Sequence, residues 1–159
     1  MNDIKLIIPP EDYIPIMYEV YRRQENPSSE VFTSCDSAKQ KRIIFNMQKF
    51  FKVAVINEQY VGWVTAIDRD SDSCVNISFY LHNNFRGKGF MAEILKVHLA
   101  EVKEFKKDKV LKAGVLKNNI AAQKTLERVG FIRNSEDKSE KYLRYVYNCP
   151  TRVDSMYIN

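Results

Sequence analysis

Apolar and polar side chains alternate strictly in the middle of the chain. From residue 74 to residue 81, large apolar side chains occupy one set of alternate positions, and the set between them is Cys74, Asn76, Ser78 and Tyr80. Successive side chains of a strand point to opposite faces of a sheet, so this pattern predicts a strand with one face in the core. The other face can meet a ligand. Six other apolar runs predict further strands, at residues 5–8, 52–56, 60–68, 110–116, 131–133 and 142–147.

Apolar residues spaced three and four positions apart predict four helices. The first helix starts at the capping residue Asp12 and the second at Ser37. The third opens at Gly89, and its stripe of residues expected to be buried includes His98, in a packing role, and ends at Phe105. The fourth follows Asn119, a residue type that accepts a hydrogen bond from the first turn of a helix. Loops are expected at residues 22–35 and 134–141.

The order of these elements indicates how the strands connect. A helix separates the strand that ends at residue 81 from the one that starts at residue 110, and such a crossover places the two strands parallel. The other connections let neighbouring strands run antiparallel. The sequence therefore predicts an α/β (α+β) fold, in which a mixed sheet carries helices on both faces. At 159 residues and 45% hydrophobic content, one domain over residues 1–148 is expected, with a C-terminal tail at 149–159.

Charge and cysteine content narrow the class of protein. The formal net charge of +5 favours an anionic partner, which can be a nucleic acid, a membrane surface or a phosphorylated cofactor. Cys35, Cys74 and Cys149 are odd in number and lack metal-ligand spacing, so we expect neither a disulfide framework nor a metal site. The apolar runs are too short to cross a bilayer, and the N-terminus lacks a signal-peptide pattern. A cytoplasmic protein with no membrane partner is the expectation.

A basic turn with two glycines joins the strand that ends at Leu81 to the third helix. The first backbone N–H groups of a helix lack intrahelical partners and carry partial positive charge, which suits a phosphate. Gly87 and Gly89 let the backbone approach a ligand closely, and Arg86 and Lys88 add full charges. The turn predicts an anion site, although an ordinary basic turn between a strand and a helix can carry the same residues.

Together with the fourth helix, this turn resembles the GNAT superfamily of acyl-CoA-dependent N-acetyltransferases. Residues 86–91 match the family's pyrophosphate motif, in which Gln or Arg is followed by x-x-Gly-x-Gly/Ala. Asn119 and Ala122 match a later motif that ends in Gly130 and Phe131. That ending is most similar to the ribosomal-protein N-terminal and spermidine acetyltransferase branches. The resemblance implies a single GNAT-like domain, with a mostly antiparallel sheet of about seven strands and four helices.

The resemblance also implies substrates and binding residues. Acetyl-CoA would be the co-substrate, and its acetyl group would pass directly to a primary amine of a small molecule or peptide in a ternary complex. Asn119 would contact the pantetheine arm, and Lys124 would lie near the nucleotide phosphates. The implied cofactor-binding set is Leu81, Arg86, Gly87, Lys88, Gly89, Phe90, Met91, Asn119 and Lys124. Oligomeric state is left open, and a homodimer is one option.

Three positions depart from the family pattern. Met91 stands where Gly or Ala is preferred, Leu126 where many members carry a Tyr that protonates the thiolate, and Asn76 where some carry a basic Glu. An amide cannot accept a proton at neutral pH. We therefore expect Tyr80 to handle the proton and Asn76 or Ser78 to order a water molecule. A backbone N–H near residues 80 and 81 would stabilise the oxyanion.

Two other functions remain open on the sequence. The chain can be a non-catalytic acyl-CoA-binding regulatory module of the same fold, because the usual catalytic side chains are absent at Leu126 and Asn76. A basic RNA-binding domain would use the glycine turn on nucleic-acid phosphates. The chain has no aromatic and basic signature of a known RNA module, so nucleic acid is the less favoured partner.

Overall fold

The computed structural model describes residues 3–23, 51–68, 73–135 and 139–147. Within these ranges the chain forms one sheet with three α-helices. The strands are β1 (Ile4–Ile7), β2 (Lys52–Ile56), β3 (Gln59–Asp68), β4 (Cys74–Leu81), β5 (Val110–Leu116), β6 (Phe131–Arg133) and β7 (Tyr142–Tyr147). The helices are α1 (Ile14–Arg23), α2 (Phe90–Phe105) and α3 (Ile120–Val129), and two 3₁₀ turns occupy Glu11–Tyr13 and Asn83–Phe85.

The predicted elements are confirmed with small shifts at their ends. Five strands have the predicted bounds, whereas β1 and β3 each start one residue earlier than expected. The fold class is confirmed as a mixed α/β domain with a mostly antiparallel sheet. The fourth expected helix, which begins at Ser37, lies outside the described residues, as does most of the loop expected at 22–35. No helix in the described ranges is long and apolar enough to span a membrane.

The sheet has the order β1-β2-β3-β4-β5-β7-β6, and β4 and β5 form its parallel pair. These two strands pair over only three positions, from Cys74 opposite Val110 to Asn76 opposite Lys112. Beyond Asn76, β4 stays on β3 as far as Leu81, while β5 turns to β7. The two parallel strands therefore separate and open a gap in the middle of the sheet.

Both faces of the sheet are covered. Helices α2 and α3 pack on one face, against side chains that include Val64 and Ala66 of β3. Helix α1 packs on the other face, where Trp63 is 1% exposed. His98 of α2 is fully buried, which agrees with the packing role expected for it. The expectation that Phe105 is buried is wrong, because this last residue of α2 lies beyond the sheet and is 58% exposed.

Gly62 holds the end of β4 close to β3. It lies opposite Leu81, and a Cβ atom at this position would come within 2.0 Å of the carbonyl oxygen of Tyr80. One residue further on, the N–H of His82 donates to the carbonyl of Val61 at 2.9 Å. Because β4 is fixed tightly on this edge, its separation from β5 leaves the opposite edge open.

A carboxylate at the end of β3 binds the far end of α2. Asp68 accepts hydrogen bonds from Lys106, at 2.7 Å, and from Lys109, and its side chain is 9% exposed. The hydrogen bond from Lys106, followed by that from Lys109, holds the pKa of Asp68 below its usual range. This cluster anchors the connection from α2 to β5, which sets the position of the parallel strand pair.

We expect Asp68→Asn to lower the free energy of unfolding by about 1 kcal/mol at pH 7, because two lysine donors lose a charged acceptor. A carboxyl whose folded pKa is lowered stabilises the fold above its unfolded pKa, so the contribution is lost as the pH falls below about 4. Urea unfolding of both proteins at pH 7 and at lower pH measures the difference. Glu104→Gln is the control, since its ion pair with Lys107 is exposed and contributes little. Equal decreases in the free energy of unfolding in both variants would contradict the anchoring role of Asp68.

Candidate active site

A cleft of about 390 Å³ lies where β4 and β5 separate. One wall is the end of β4, from Phe79 to Leu81. The turn before α2 and the first turn of that helix form the floor, and α3 forms the second wall. Among the described residues, those that line this cleft include no Asp, Glu or His. The gap in the sheet thus opens directly onto the start of a helix.

The glycine turn adopts the backbone conformation that its residues predict. Gly87 and Gly89 have φ angles of 78° and 80°, which side chains other than glycine rarely adopt. The N–H of Arg86 donates to the carbonyl of Asn83 at 3.2 Å. Within the described residues, no carbonyl or side chain takes up the N–H groups of Gly87, Gly89 and Met91. These donors therefore remain available to a ligand in the cleft.

Arg86 is tied to the end of β4. Its Nε donates to the carbonyl of Leu81 at 2.7 Å, and its guanidinium carbon lies 5.3 Å from the ring centroid of Tyr80. This contact fixes a positive charge at the mouth of the cleft. Lys88, by contrast, is exposed and does not line the cleft, so it can act only through its longer-range charge.

Helix α3 brings two further cations to the same cleft. Lys124 and Arg128 are four residues apart, which places them on one side of the helix, and both line the cleft. A guanidinium nitrogen of Arg128 would lie 3.7 Å from a Cβ atom at Gly89. The sequence reasoning missed Arg128, although its spacing from Lys124 was a usable signal. Asn119 lines the cleft and also caps α3, because its Oδ1 accepts from the N–H of Ala122 at 3.1 Å.

The three residues expected to handle protons occupy different places. Tyr80 lines the cleft, whereas Asn76 and Ser78 do not. Asn76 is exposed where the pairing between β4 and β5 ends. The Ser78 hydroxyl forms a hydrogen bond with the hydroxyl of Thr65 across the strand pair. Leu126 is fully buried in the core. Of the three, only Tyr80 is brought to the cleft.

A cluster of rings continues from Tyr80 onto the face of the sheet that carries α1. We call it the aromatic cluster, and it comprises Tyr13, Tyr60, Trp63, Tyr80 and His82. Trp63 stacks on Tyr80 at 4.6 Å between centroids, and His82 meets Tyr80 edge-on at 5.2 Å. A hydrogen bond joins Tyr13 Oη to His82 Nε2. Burial first, then Tyr80 and Tyr60, raises the pKa of Tyr13 well above its ordinary value, so its phenol stays neutral.

The described residues contain no group of three or more His, Cys, Asp or Glu side chains that could hold a metal ion. Cys74 is a free thiol. The chemistry available at the cleft therefore rests on main-chain donors, three cations and the rings beside β4.

The cleft brings unpartnered N–H groups of the glycine turn and three cations together beside the gap in the sheet, within the part of the chain that the structure describes. In a comparison with known protein families, residues 8–132 match the acetyltransferase (GNAT) domain. The chain belongs to the GNAT acetyltransferase family, and the resemblance drawn from its two motifs is confirmed. No curated protein matches the chain.

Solved structures share the whole fold at low sequence identity. The ribosomal-protein-alanine N-acetyltransferase from Brucella melitensis is 19% identical with a TM-score of 0.69, over 92% of this chain and 99% of its own. The yncA protein of Salmonella typhimurium, solved with acetyl-CoA, is 17% identical with a TM-score of 0.67. The match covers 90% of this chain and 91% of that protein. The microcin C7 self-immunity acetyltransferase, solved with acetyl-CoA and AMP, is 15% identical with a TM-score of 0.67. The match covers 92% of this chain and 93% of that protein.

Proposed function

We propose that this acetyltransferase transfers the acetyl group of acetyl-CoA to a primary amine of a small molecule or peptide, by direct attack in a ternary complex. The observation that carries the proposal is the set of unpartnered N–H groups at the start of α2, which open onto the cleft between β4 and β5. Two of the structural neighbours were solved with acetyl-CoA. A cytoplasmic location and the identity of the amine stay predictions of the sequence.

The pyrophosphate of the cofactor is assigned to the glycine turn. N–H groups of Gly87, Gly89 and Met91 would bind its oxygens, and the positive end of α2 would add to the attraction. Arg86 and Arg128 supply charge from opposite sides of the turn. Phe90 lines the same end of the cleft, and Lys88 contributes only its longer-range field. The methionine at position 91 leaves its own N–H available, so this departure from the family pattern is compatible with binding.

The rest of the cofactor would follow the walls of the cleft. Asn119 is assigned to the pantetheine arm, although its side-chain oxygen already caps α3. Its amide nitrogen remains for the ligand. Lys124, on the same helix, is assigned to the nucleotide phosphates. These assignments follow the family motif and agree with the positions of both residues in the cleft wall.

The open edge of β4 is suited to the acyl group. The N–H of His82 points to β3, and donors alternate along a strand, so the N–H of Leu81 points to the open edge. The Leu81 carbonyl on that edge is bound by Arg86, which leaves a donor rather than an acceptor for the thioester oxygen. A single donor of this kind contributes about 10²–10³ in rate. The side chains at positions 76 and 126 do not affect this contribution of the backbone donor to the rate.

A non-catalytic acyl-CoA-binding module is the second candidate. The observation that favours it is that Asn76 lies outside the cleft and Leu126 is buried in the core, so the usual family roles are vacant there. An alkylamine with a pKa near 10 is only about one part in a thousand neutral at pH 7, which corresponds to roughly 4 kcal/mol. Burial beside cations lowers the pKa of an amine and recovers part of this cost.

Acetyl-CoA should release free thiol faster in the presence of the protein and an acceptor amine than with either alone. A panel of polyamines, amino sugars, amino acids and peptide N-termini, followed by a thiol reagent, tests this. If the protein is an enzyme, thiol release should rise with at least one class of amine. A background rate with every class, together with measurable acetyl-CoA binding, would favour the non-catalytic module.

We expect Gly89→Val to abolish measurable acetyl-CoA binding. A β-branched side chain is strained at a φ of 80°, so the turn must change shape and its donors must move. Isothermal calorimetry measures the affinity, and thermal unfolding checks the fold. Gly130→Val is the matched control, since Gly130 has a φ of 112° but does not line the cleft. Unchanged affinity in the Gly89 variant would count against the placement of the pyrophosphate.

Arg128→Gln should weaken acetyl-CoA binding about tenfold and reduce its dependence on salt, because one charge-assisted contact is lost. Arg133→Gln removes the same charge from an exposed position of β6 that does not line the cleft, and it should leave the affinity unchanged. Calorimetric titrations at two salt concentrations compare the variants. Equal effects of both substitutions would mean that only net charge matters.

A further inference from the structure

We propose that Arg86 is a positioning residue, which holds the glycine turn against the open edge of β4 and caps the carbonyl of Leu81 beside the cleft. The inference rests on the proposed function, because it assigns a second task to Arg86 within the same site. The first task, attraction of a phosphate, needs only a positive charge. The second task depends on the shape of the guanidinium and on the two groups that it contacts.

Two contacts hold the guanidinium of Arg86, and we call them the Arg86 clamp. Its Nε donates to the carbonyl of Leu81 at 2.7 Å, and its central carbon lies 5.3 Å from the ring centroid of Tyr80. That ring is itself fixed, because Trp63 of the neighbouring strand stacks on it at 4.6 Å. A flat guanidinium can donate in a fixed direction and lie over a ring at the same time, whereas the ammonium group of lysine cannot.

The segment that joins β4 to the glycine turn has its first three carbonyls bound in succession. The Leu81 carbonyl accepts from the Arg86 side chain. The next two accept from backbone N–H groups, His82 from Phe85 at 2.9 Å and Asn83 from Arg86 at 3.2 Å. Arg86 therefore closes this segment through both its backbone and its side chain, immediately before the glycine turn.

This closed segment sets the distance between two parts of the proposed site. The glycine turn is assigned to the pyrophosphate, and the N–H of Leu81 is suited to the acyl oxygen. Both groups belong to one cofactor molecule, so each contact depends on where the other is held. A segment that the cofactor had to order would lower its affinity. The Arg86 clamp orders the segment in advance, independently of any contact between its charge and a phosphate.

The bond to Leu81 also changes what the open edge of β4 offers to a ligand. The N–H and the carbonyl of one residue in an antiparallel strand point to the same edge, so Leu81 places a donor and an acceptor beside the gap. Nε of Arg86 occupies the acceptor. A thioester oxygen that gains negative charge would then meet a donor and a guanidinium rather than a bare carbonyl. Loss of the cap should therefore affect the rate as well as the affinity.

Arg128 provides a comparison within the same cleft. It lines the cleft from α3, and within the described part of the chain its side chain has no hydrogen bond, ion pair or ring contact. Any contribution of Arg128 to cofactor binding thus comes from its charge and not from a clamp. Lysine should replace arginine far better at position 128 than at position 86.

The test compares Arg86→Lys with Arg128→Lys, since both changes keep the charge. We expect Arg86→Lys to weaken acetyl-CoA binding about tenfold, because a hydrogen bond of fixed geometry is lost, and to leave its salt dependence unchanged. Arg128→Lys should weaken binding much less. Calorimetric titrations at two salt concentrations measure both, and thermal unfolding checks the fold. Wild-type affinity in Arg86→Lys, or equal losses in the two variants, would overturn the clamp.

Tyr80→Leu tests the ring contact, because it removes the ring under the guanidinium of Arg86. The loss of binding free energy in the double variant of Tyr80→Leu and Arg86→Lys should be smaller than the sum of the two separate losses, since both changes break one clamp. The same calorimetric titration measures it. Additive losses would show that the two side chains act independently and would overturn the clamp.

Thiol release with the fastest amine tests the cap on Leu81. At saturating acetyl-CoA, Arg86→Lys should lower kcat about tenfold, a part of what the loss of an oxyanion donor costs. Arg133→Lys is the control, since Arg133 is exposed and does not line the cleft. An unchanged kcat in Arg86→Lys would overturn the cap. No thiol release by the wild-type protein with any amine would overturn the proposed function, whereas the binding measurements would still decide the clamp.

Discussion

The site depends on one constraint of the sheet, which is that β4 pairs with β5 over only three positions. Beyond them, β4 stays paired with β3, and Gly62 lets the two strands lie close together there. Main-chain donors on an unpaired edge are costly unless something binds them. A ligand that enters the gap supplies that partner, so the same geometry both destabilises the empty edge and creates the binding surface.

The second feature of the proposed site is that its attraction for phosphate would come mainly from the backbone. Gly87 and Gly89 adopt positive φ angles and line the cleft, and α2 begins immediately afterwards. The cations Arg86, Lys124 and Arg128 surround the donors of the glycine turn from two separate elements. In the proposed complex, fixed dipoles would set the location of the anion, and the side-chain charges would strengthen binding at that location.

The sequence predicted most of the fold and the backbone conformation of the glycine turn, because both depend on local patterns. Alternation predicted the bounds of β4, and the glycine turn is a motif of adjacent residues. Contacts between distant segments were not predicted. Tyr13 and His82 are 69 positions apart, and nothing in either segment indicates that they meet. Burial of Phe105 was wrongly expected, because helical periodicity cannot tell where a helix passes the edge of the sheet.

The two faces of the sheet supply different chemistry to the gap between β4 and β5. On the side of α2 and α3, the described residues that line the cleft include three cations and no Asp, Glu or His. On the side of α1, the aromatic cluster offers ring faces and one imidazole. A phosphate-bearing donor is favoured on the first side, and a cationic amine is repelled there. An amine substrate would therefore approach from the second side, where ring faces favour a cation.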